Sequence, residues 1–107
     1  MKVIIRKAIK SDAAAIFSLI QELAVFEKEP GEVIISQAQI EKDGFGDLPL
    51  FECRVAEADK KVVGMALYYP RYSTWKGPTF QLEDLIVTKK MKGKGIGSQL
   101  YLSLIHI

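Results

Sequence analysis

The feature that most constrains the fold is a glycine-rich turn between a strand-like run and a helix-like run. The turn spans residues 92–97, reads KGKGIG, and follows an apolar run that ends near Thr88. Glycines remove the Cβ atoms that keep a ligand away from the main chain. The N–H groups of the helical turn that follows then point at an anion, with the positive end of the helix dipole behind them. The turn therefore predicts a site for a phosphorylated ligand.

Glycine spacing narrows the class of ligand site. The Rossmann pattern needs G-x-G-x-x-G and the Walker loop needs G-x-x-x-x-G-K-[ST], whereas Gly93, Gly95 and Gly97 alternate. Taken alone, these residues are equally typical of an ordinary strand-to-helix turn. The order of the surrounding helices and strands is needed to distinguish a phosphate-binding turn from an ordinary one.

The hydrophobic pattern predicts a mixed α/β fold with an antiparallel sheet. The first half has a strand at 2–8, a helix with Ser11 as N-cap, and a second helix from Ser36 to about Gly44. The second half has strands at 51–58 and 62–72 joined by the turn 59–61, a strand at 79–88, and a helix after the glycines. This β-α-α-β-β-β-α order excludes a doubly wound nucleotide-binding fold.

Composition limits the function classes. With 107 residues and 49% hydrophobic content, we expect residues 1–107 to form a single domain. A net charge of +2 does not indicate nucleic acid, and no metal site or membrane segment is predicted. Without a signal-like start, a cytoplasmic location follows. Cys53 lies in an apolar strand pattern, which favours a buried structural thiol.

With Lys92 included, the turn reads K-x-x-G-x-G. It resembles the [QR]-x-x-G-x-[GA] signature of the GCN5-related N-acetyltransferases (GNAT), whose cradle holds the pyrophosphate of acetyl-CoA. The segments DGFG at 43–46, YSTWKG at 72–77 and LED at 82–84 resemble the diamine acetyltransferases, which include spermidine/spermine and thialysine N-acetyltransferases. The resemblance implies the N-terminal part of the acyl-CoA N-acyltransferase fold, acetyl-CoA as co-substrate, a small-molecule amine as substrate, and a homodimer. The residues Ser73 and Thr74 look more like the thialysine branch.

The resemblance also implies which residues bind the cofactor. The strand after the acids would pair with the pantetheine arm and polarise the thioester carbonyl, and the turn would hold the diphosphate. The predicted cofactor-binding residues are Leu85, Ile86, Val87, Lys92, Gly93, Lys94, Gly95, Ile96, Gly97 and Ser98.

Two adjacent acids, Glu83 and Asp84, interrupt the apolar strand just before the turn. Alkylamines have a lysine-like pKa of about 10.4 and are therefore protonated at neutral pH. Because only the neutral amine is a nucleophile, catalysis needs a proton acceptor. Because adjacent strand residues face opposite sides, the acids are expected to do different jobs. We expect Glu83 to receive the proton through water and Asp84 to hold a second ammonium of the substrate. A strand-end salt bridge remains an alternative.

The resemblance places Phe26, Glu27 and Trp75 in the substrate site beside the two acids. Read without it, Glu27 and its neighbours Glu22, Glu29 and Glu32 indicate a solvated helix face, and Trp75 indicates a loop residue packed on the core.

The family's domain continues beyond the helix that follows the cradle, so the resemblance implies that this chain is truncated. Residues 102–107, LSLIHI, resemble the translation of a sequencing adapter and are expected not to be native. Tyr101 is in the wrong element to be the family's general acid, and His106 is given no role. We expect little or no acetyl transfer from the chain as written. A GNAT enzyme for another amine and a non-catalytic module that binds coenzyme A remain alternatives.

Overall fold

The computed structural model describes residues 2–105, so His106 lies outside the described residues. Its helices and strands are β1 (Val3–Lys7), α1 (Ala13–Phe26), α2 (Gln37–Phe45), β2 (Glu52–Ala58), β3 (Lys61–Ser73), β4 (Gly77–Val87) and α3 (Ile96–Ser103). Short 3-10 turns occupy Lys10–Asp12, Pro30–Glu32 and Lys89–Met91. The predicted order of elements is confirmed.

The strands form one antiparallel sheet in the order β1-β2-β3-β4. The predicted β2–β3 hairpin turns through Asp59 and Lys60, whose φ angles are 51° and 66°. Two successive left-handed residues match the twist of antiparallel strands, which fixes the register of this pair. Within residues 2–105, β4 is an edge strand, and its outer side faces no other strand.

Helices cover both faces of the sheet, because side chains of the central strands alternate between two apolar layers. The layer shared with α1 and α2 includes Ile16, Leu19, Ile40, Val55, Met65 and Ile86. The layer shared with α3 includes Ala56, Ala66, Ile96 and Leu100. None of the helices in the described part of the chain has the length and apolar character needed to cross a bilayer.

Gly64 on β3 lets α3 approach the sheet closely. A Cβ atom at Gly64 would stand 3.0 Å from the carbonyl oxygen of Ile86 and 3.3 Å from Cδ1 of Leu100. The small residue therefore allows the N-terminal half of α3 to lie against β3 and β4. This contact determines where the glycine-rich turn sits relative to the end of β4.

The start of α1 differs from the prediction. Ser11 is not the N-cap, because residues 10–12 form a 3-10 turn and Asp12 takes that position. The Asp12 carboxylate accepts the Ile9 N–H at 2.8 Å and receives two hydrogen bonds from Arg6 at 2.7 and 3.0 Å. These hydrogen bonds from Arg6 lower the pKa of the buried Asp12 carboxyl. Ser36 is the N-cap of α2, as predicted, with its hydroxyl accepting the Gln39 N–H at 3.1 Å.

Cys53 is buried in the layer beneath α1 and α2, as the apolar strand pattern predicts. Burial, with a smaller contribution from the charge of Asp12, raises the pKa of its thiol to about 12. The thiol is therefore protonated at neutral pH, which fits a structural residue.

Candidate functional site

The glycine-rich turn adopts a conformation that needs glycine at two positions. Gly93 and Gly95 have φ angles of 82° and 78°, in the left-handed region. Apart from its two chain neighbours, a Cβ atom at either residue would meet no atom of residues 2–105 within 4 Å. No neighbouring side chain therefore requires glycine here. The two glycines give the backbone its shape and leave the adjacent space open.

This conformation exposes a run of main-chain donors, residues 93–98. Within residues 2–105, none of these six N–H groups has a main-chain acceptor, and the first hydrogen bond of the helix comes from Gln99 to Gly95 at 3.1 Å. The dipole of α3 adds partial positive charge at the same end. Such a concave set of donors suits an anion.

A cavity of about 340 Å³ lies against the turn. Eight of the ten predicted cofactor residues line it: Leu85, Val87, Lys92, Gly93, Gly95, Ile96, Gly97 and Ser98. The side chain of Ile96 is buried in the α3 layer, so only its main chain is offered to a ligand. Lys94 is exposed and does not line this cavity.

The edge of β4 continues from this cavity. Thr88 N–H donates to the Val63 carbonyl of β3 at 2.8 Å. Because main-chain groups alternate along an antiparallel ladder, Ile86 turns its N–H toward β3, while Leu85 and Val87 turn theirs to the open edge. The structure thus separates the three predicted strand residues: two present main-chain groups, and Ile86 buries its side chain in the core.

The two acids of β4 lie at a β-bulge. Leu67 of β3 pairs with Asp84 and the next residue, Tyr68, pairs with Leu82, so Glu83 is the extra residue. The bulge breaks the regular alternation on which the prediction of opposite faces rested. Leu82 packs in the α3 layer, whereas Asp84 lines a pocket beside α1. Glu83 is exposed to solvent.

Asp84 is the perturbed carboxyl of the site. Burial raises its pKa, and the nearby charges of Glu83 and Glu27 raise it further. The structure therefore brings together three of the predicted substrate residues: Glu27, which directly follows α1, and Glu83 and Asp84 of β4. A cation placed among them would relieve this repulsion.

Two neighbouring depressions surround these residues. One, of about 210 Å³, has carboxylates of Glu27, Glu29, Glu32 and Asp84 around an apolar lining from Ile20, Leu23, Ala24 and Val33. The other, of about 560 Å³, runs between α1 and the β4 edge and includes Phe26, Leu85, Lys89 and Lys92. Leu23 borders both. This larger depression, called the groove below, therefore borders the acidic depression at Leu23 and the cavity at the turn at Leu85, Val87 and Lys92.

Phe26 and Lys92 meet across the larger depression. The Lys92 ammonium nitrogen stands 4.3 Å from the centre of the Phe26 ring, a cation–π contact. A predicted substrate residue thus touches a predicted cofactor residue.

Trp75 is not part of this group within the chain. It is 94% exposed at the β3–β4 turn, where its main-chain N–H donates to the Ser73 hydroxyl at 3.2 Å. Gly77 and Asp84 are seven residues apart on β4, which at a strand rise of about 3.3 Å per residue separates Trp75 from the acids by roughly 20 Å. The alternative of a tryptophan packed on the core is wrong, since the side chain is exposed.

Sequence reasoning missed Glu22. Read as part of a solvated face, it instead accepts the Thr88 hydroxyl at 2.8 Å and the Lys89 main-chain N–H at 2.9 Å. Its position between Leu19 and Leu23, on the apolar stripe of α1, was the available signal.

Comparison with known proteins agrees with this geometry. Residues 13–107 match the model of the acetyltransferase (GNAT) family. The chain belongs to the GNAT family. It is 43% identical over 106 residues to a thialysine N-epsilon-acetyltransferase of Bos taurus, covering 92% of this chain and 62% of that protein. It is 39% identical over 110 residues to the spermidine/spermine N(1)-acetyltransferase-like protein 1 of Homo sapiens, covering 96% of this chain and 16% of that protein.

Solved structures share the fold of this GNAT chain. An aminoglycoside acetyltransferase from an uncultured soil metagenomic sample superposes with a TM-score of 0.74 at 20% identity, covering 94% of this chain and 66% of that one. A ribosomal-protein-alanine N-acetyltransferase from Brucella melitensis gives a TM-score of 0.74 at 21% identity, covering 97% of this chain and 69% of that one. The chain spans about 60% of the length of the thialysine acetyltransferases it matches.

The acid cluster predicts a pH-dependent effect on stability. Asp84→Asn should raise the free energy of unfolding at pH 7, because it removes a half-buried charge that Glu83 and Glu27 repel. We expect a gain below about 1 kcal/mol, since solvent screens a carboxyl that is partly exposed. A native pKa above the unfolded value makes stability fall as pH rises through the native pKa. The gain should therefore be complete above that pKa and vanish near the unfolded value of 3.8.

Urea unfolding of the natural protein that carries this chain, across a series of pH values, measures this effect. Asp47→Asn, at an exposed residue of the α2–β2 loop, is the matched control and should change stability little. A variant at Asp84 that is less stable than the parent at pH 7 would contradict the repulsion described above.

Proposed function

We propose that the protein transfers the acetyl group of acetyl-CoA to a primary amine of a small diamine, polyamine or thialysine-like substrate. The observation that carries this proposal is a groove between α1 and β4 that borders two sites: the cavity at main-chain donors that are unpaired within residues 2–105, and a depression lined by acids. Family membership supports acetyl transfer, and the names of the thialysine and spermidine/spermine relatives support the amine class. A cytoplasmic location is part of the proposal, and the buried free thiol is compatible with it.

In this proposal, the six N–H groups of residues 93–98 hold the diphosphate of the cofactor. Lys92 is close enough to add charge at the mouth of the same cavity. The open main-chain groups of Leu85 and Val87 pair with the amide groups of the pantetheine arm, as an added strand would. An N–H at this edge then polarises the thioester carbonyl as negative charge develops on its oxygen.

The acidic depression is the proposed acceptor site. Its carboxylates attract the ammonium groups of a diamine, and its apolar lining accommodates the methylene chain between them. Asp84 and Glu27 hold the cation nearest β4. Phe26 borders the groove between the acceptor and cofactor ends.

Chemistry requires a neutral amine nitrogen to attack the thioester carbonyl. The C–N bond forms, the C–S bond breaks so that coenzyme A leaves as its thiolate with the bonding electron pair, and the amine loses a proton. We assign that proton to Glu83 through water, because the bulge places this carboxylate in solvent beside Asp84. Asp84 is assigned to binding, since an ammonium partner would hold it ionised.

A homodimer is also proposed. Trp75 lies too far along the β3–β4 hairpin to reach the acids of its own chain, so a role in acceptor binding requires the acids of a second copy. The exposed indole would then border the amine site and offer cation–π attraction.

The cradle is tested by an alanine at a left-handed glycine. Gly95→Ala should weaken acetyl-CoA binding at least 10-fold, because the new Cβ enters the space next to the donors and the turn is strained by about 1 kcal/mol. Isothermal titration calorimetry of the natural protein that carries this chain measures the affinity.

Gly77→Ala is the matched control for this experiment. Gly77 has a φ angle of 82°, and a Cβ atom there would meet no atom of residues 2–105 within 4 Å apart from its chain neighbours. It lies, however, at the far end of β4. The two variants should lose similar stability, and only Gly95→Ala should lose affinity. Equal affinities in the two variants would show that the cofactor is bound elsewhere.

The assignment of the acids predicts a division between turnover and binding. Glu83→Gln should lower kcat by about 10²-fold with little change in the KM for the amine, as expected for loss of a proton acceptor. Asp84→Asn should mainly raise that KM. In the parent enzyme the same KM should rise as pH falls through the raised pKa of Asp84, because protonation removes the charge that attracts the amine.

Steady-state kinetics with a panel containing a diamine, thialysine and an aminoglycoside checks this division and ranks the acceptors. Glu41→Gln on α2, where the carboxylate contacts Gln37, serves as the control. Unchanged kcat in Glu83→Gln would remove its proposed role, and a preference for the aminoglycoside would shift the substrate class.

A further inference from the structure

Glu22 joins α1 to the segment that leads into the glycine-rich turn. One carboxylate oxygen accepts the Thr88 hydroxyl at 2.8 Å, and the other accepts the Lys89 main-chain N–H at 2.9 Å. Thr88 also donates its own N–H to Val63 of β3 at 2.8 Å. The point where β4 ends is therefore held from the sheet side and from the helix side.

The segment after this point has few other restraints. Residues 89–91 form a single 3-10 turn, closed by hydrogen bonds from Met91 to Thr88 at 2.9 Å and from Lys92 to Lys89 at 3.4 Å. Gly93 and Gly95 follow, and glycine is the residue with the greatest backbone freedom. Without Glu22, the direction in which the chain leaves β4 would depend on the sheet contact of Thr88, the packing of Met91 in the α3 layer and the contact of Lys92 with Phe26.

Charge by itself would argue against an acid at this position. Glu22 lines the same groove as Lys89 and Lys92, which is where the proposed function places a polyanionic cofactor. A carboxylate there repels phosphate and offsets part of the attraction from the lysines. Its presence is explained if the geometry it imposes contributes more to binding than its charge costs.

We propose that Glu22 is a positioning residue that fixes the entry to the cradle, so that the donors of residues 93–98 are aimed before the cofactor arrives. This inference rests on the proposed function, because it specifies how that site is organised. It assigns to Glu22 no contact with the reacting atoms. It also predicts a sign: removal of its hydrogen bonds weakens cofactor binding even though a negative charge is lost.

Three variants separate hydrogen bonding from charge. Glu22→Ala removes both hydrogen bonds and the charge. Glu22→Gln removes only the charge, since its amide oxygen can accept the Lys89 N–H while its NH₂ donates to the Thr88 hydroxyl. Thr88→Val removes the hydroxyl contact and leaves the Lys89 contact. Glu41→Ala, an acid on α2 whose side chain bonds to Gln37, is the control.

Calorimetry with acetyl-CoA, on the natural protein that carries this chain, gives the affinities. We expect Glu22→Ala to bind about 10-fold more weakly, Thr88→Val about 3-fold more weakly, and Glu22→Gln and Glu41→Ala within about 2-fold of the parent. In kinetics, Glu22→Ala should raise the KM for acetyl-CoA and leave the KM for the amine unchanged. Amide exchange of residues 89–97 should quicken in Glu22→Ala and not in Glu22→Gln.

The outcomes are distinguishable from failure of the proposed function. If the parent binds acetyl-CoA and Glu22→Ala binds it equally well or more tightly, charge dominates and the positioning role is overturned. A loss in Glu22→Ala that Glu22→Gln shares to the same extent would also overturn it. If the parent itself binds no acetyl-CoA, the proposed function fails first, and faster amide exchange in Glu22→Ala alone would not rescue it.

Discussion

Main-chain N–H groups that have no hydrogen-bond partner within residues 2–105 impose the central constraint on this molecule. Residues 93–98 present six such donors in succession, because two left-handed glycines turn the chain directly into α3. Water satisfies exposed donors of this kind in the free protein, and an anion that replaces water binds where the donors already point. The position of α3 on the sheet, which Gly64 permits, decides which strand these donors lie beside.

That strand supplies the other half of the site. The bulge at Glu83 changes which side chains face α1: Leu82, before it, packs in the α3 layer, whereas Asp84, after it, lines the depression beside α1. Asp84 is thereby placed beside Glu27, in a depression where its ionised form is disfavoured. Repulsion among these carboxylates costs stability in the free protein, and a bound ammonium relieves it. This loss of stability is explained if the function of the acidic cluster is to bind a cation.

Much of the fold followed from the hydrophobic pattern. The helical spacing in α1, the capping residue Ser36 and the Asp59–Lys60 hairpin are local features, and each was confirmed. Ser11 failed as a cap because Asp12, one residue later, is held by Arg6 from β1. Such a contact depends on the tertiary structure and leaves no local signal.

The site was less predictable than the fold, for similar reasons. The glycine spacing identified the cradle, but alternation along β4 predicted opposite faces for two acids that a bulge re-orients. The position of Glu22 on the apolar stripe of α1 indicated that it is not simply solvated, but its partner, 66 positions away, can be identified only after the helix is docked. The length of the β3–β4 hairpin likewise separated Trp75 from residues that the sequence grouped with it.

The most direct measurement is a titration of the ¹⁵N-labelled natural protein that carries this chain with acetyl-CoA, followed by amide chemical shifts. The account predicts that the amides of residues 93–98 shift most, with Leu85 and Val87 next and with slowed exchange at all of them. Shifts confined to the far end of β4, around Thr79 and Phe80, would contradict it. So would saturation of binding with the amides of 93–98 unmoved.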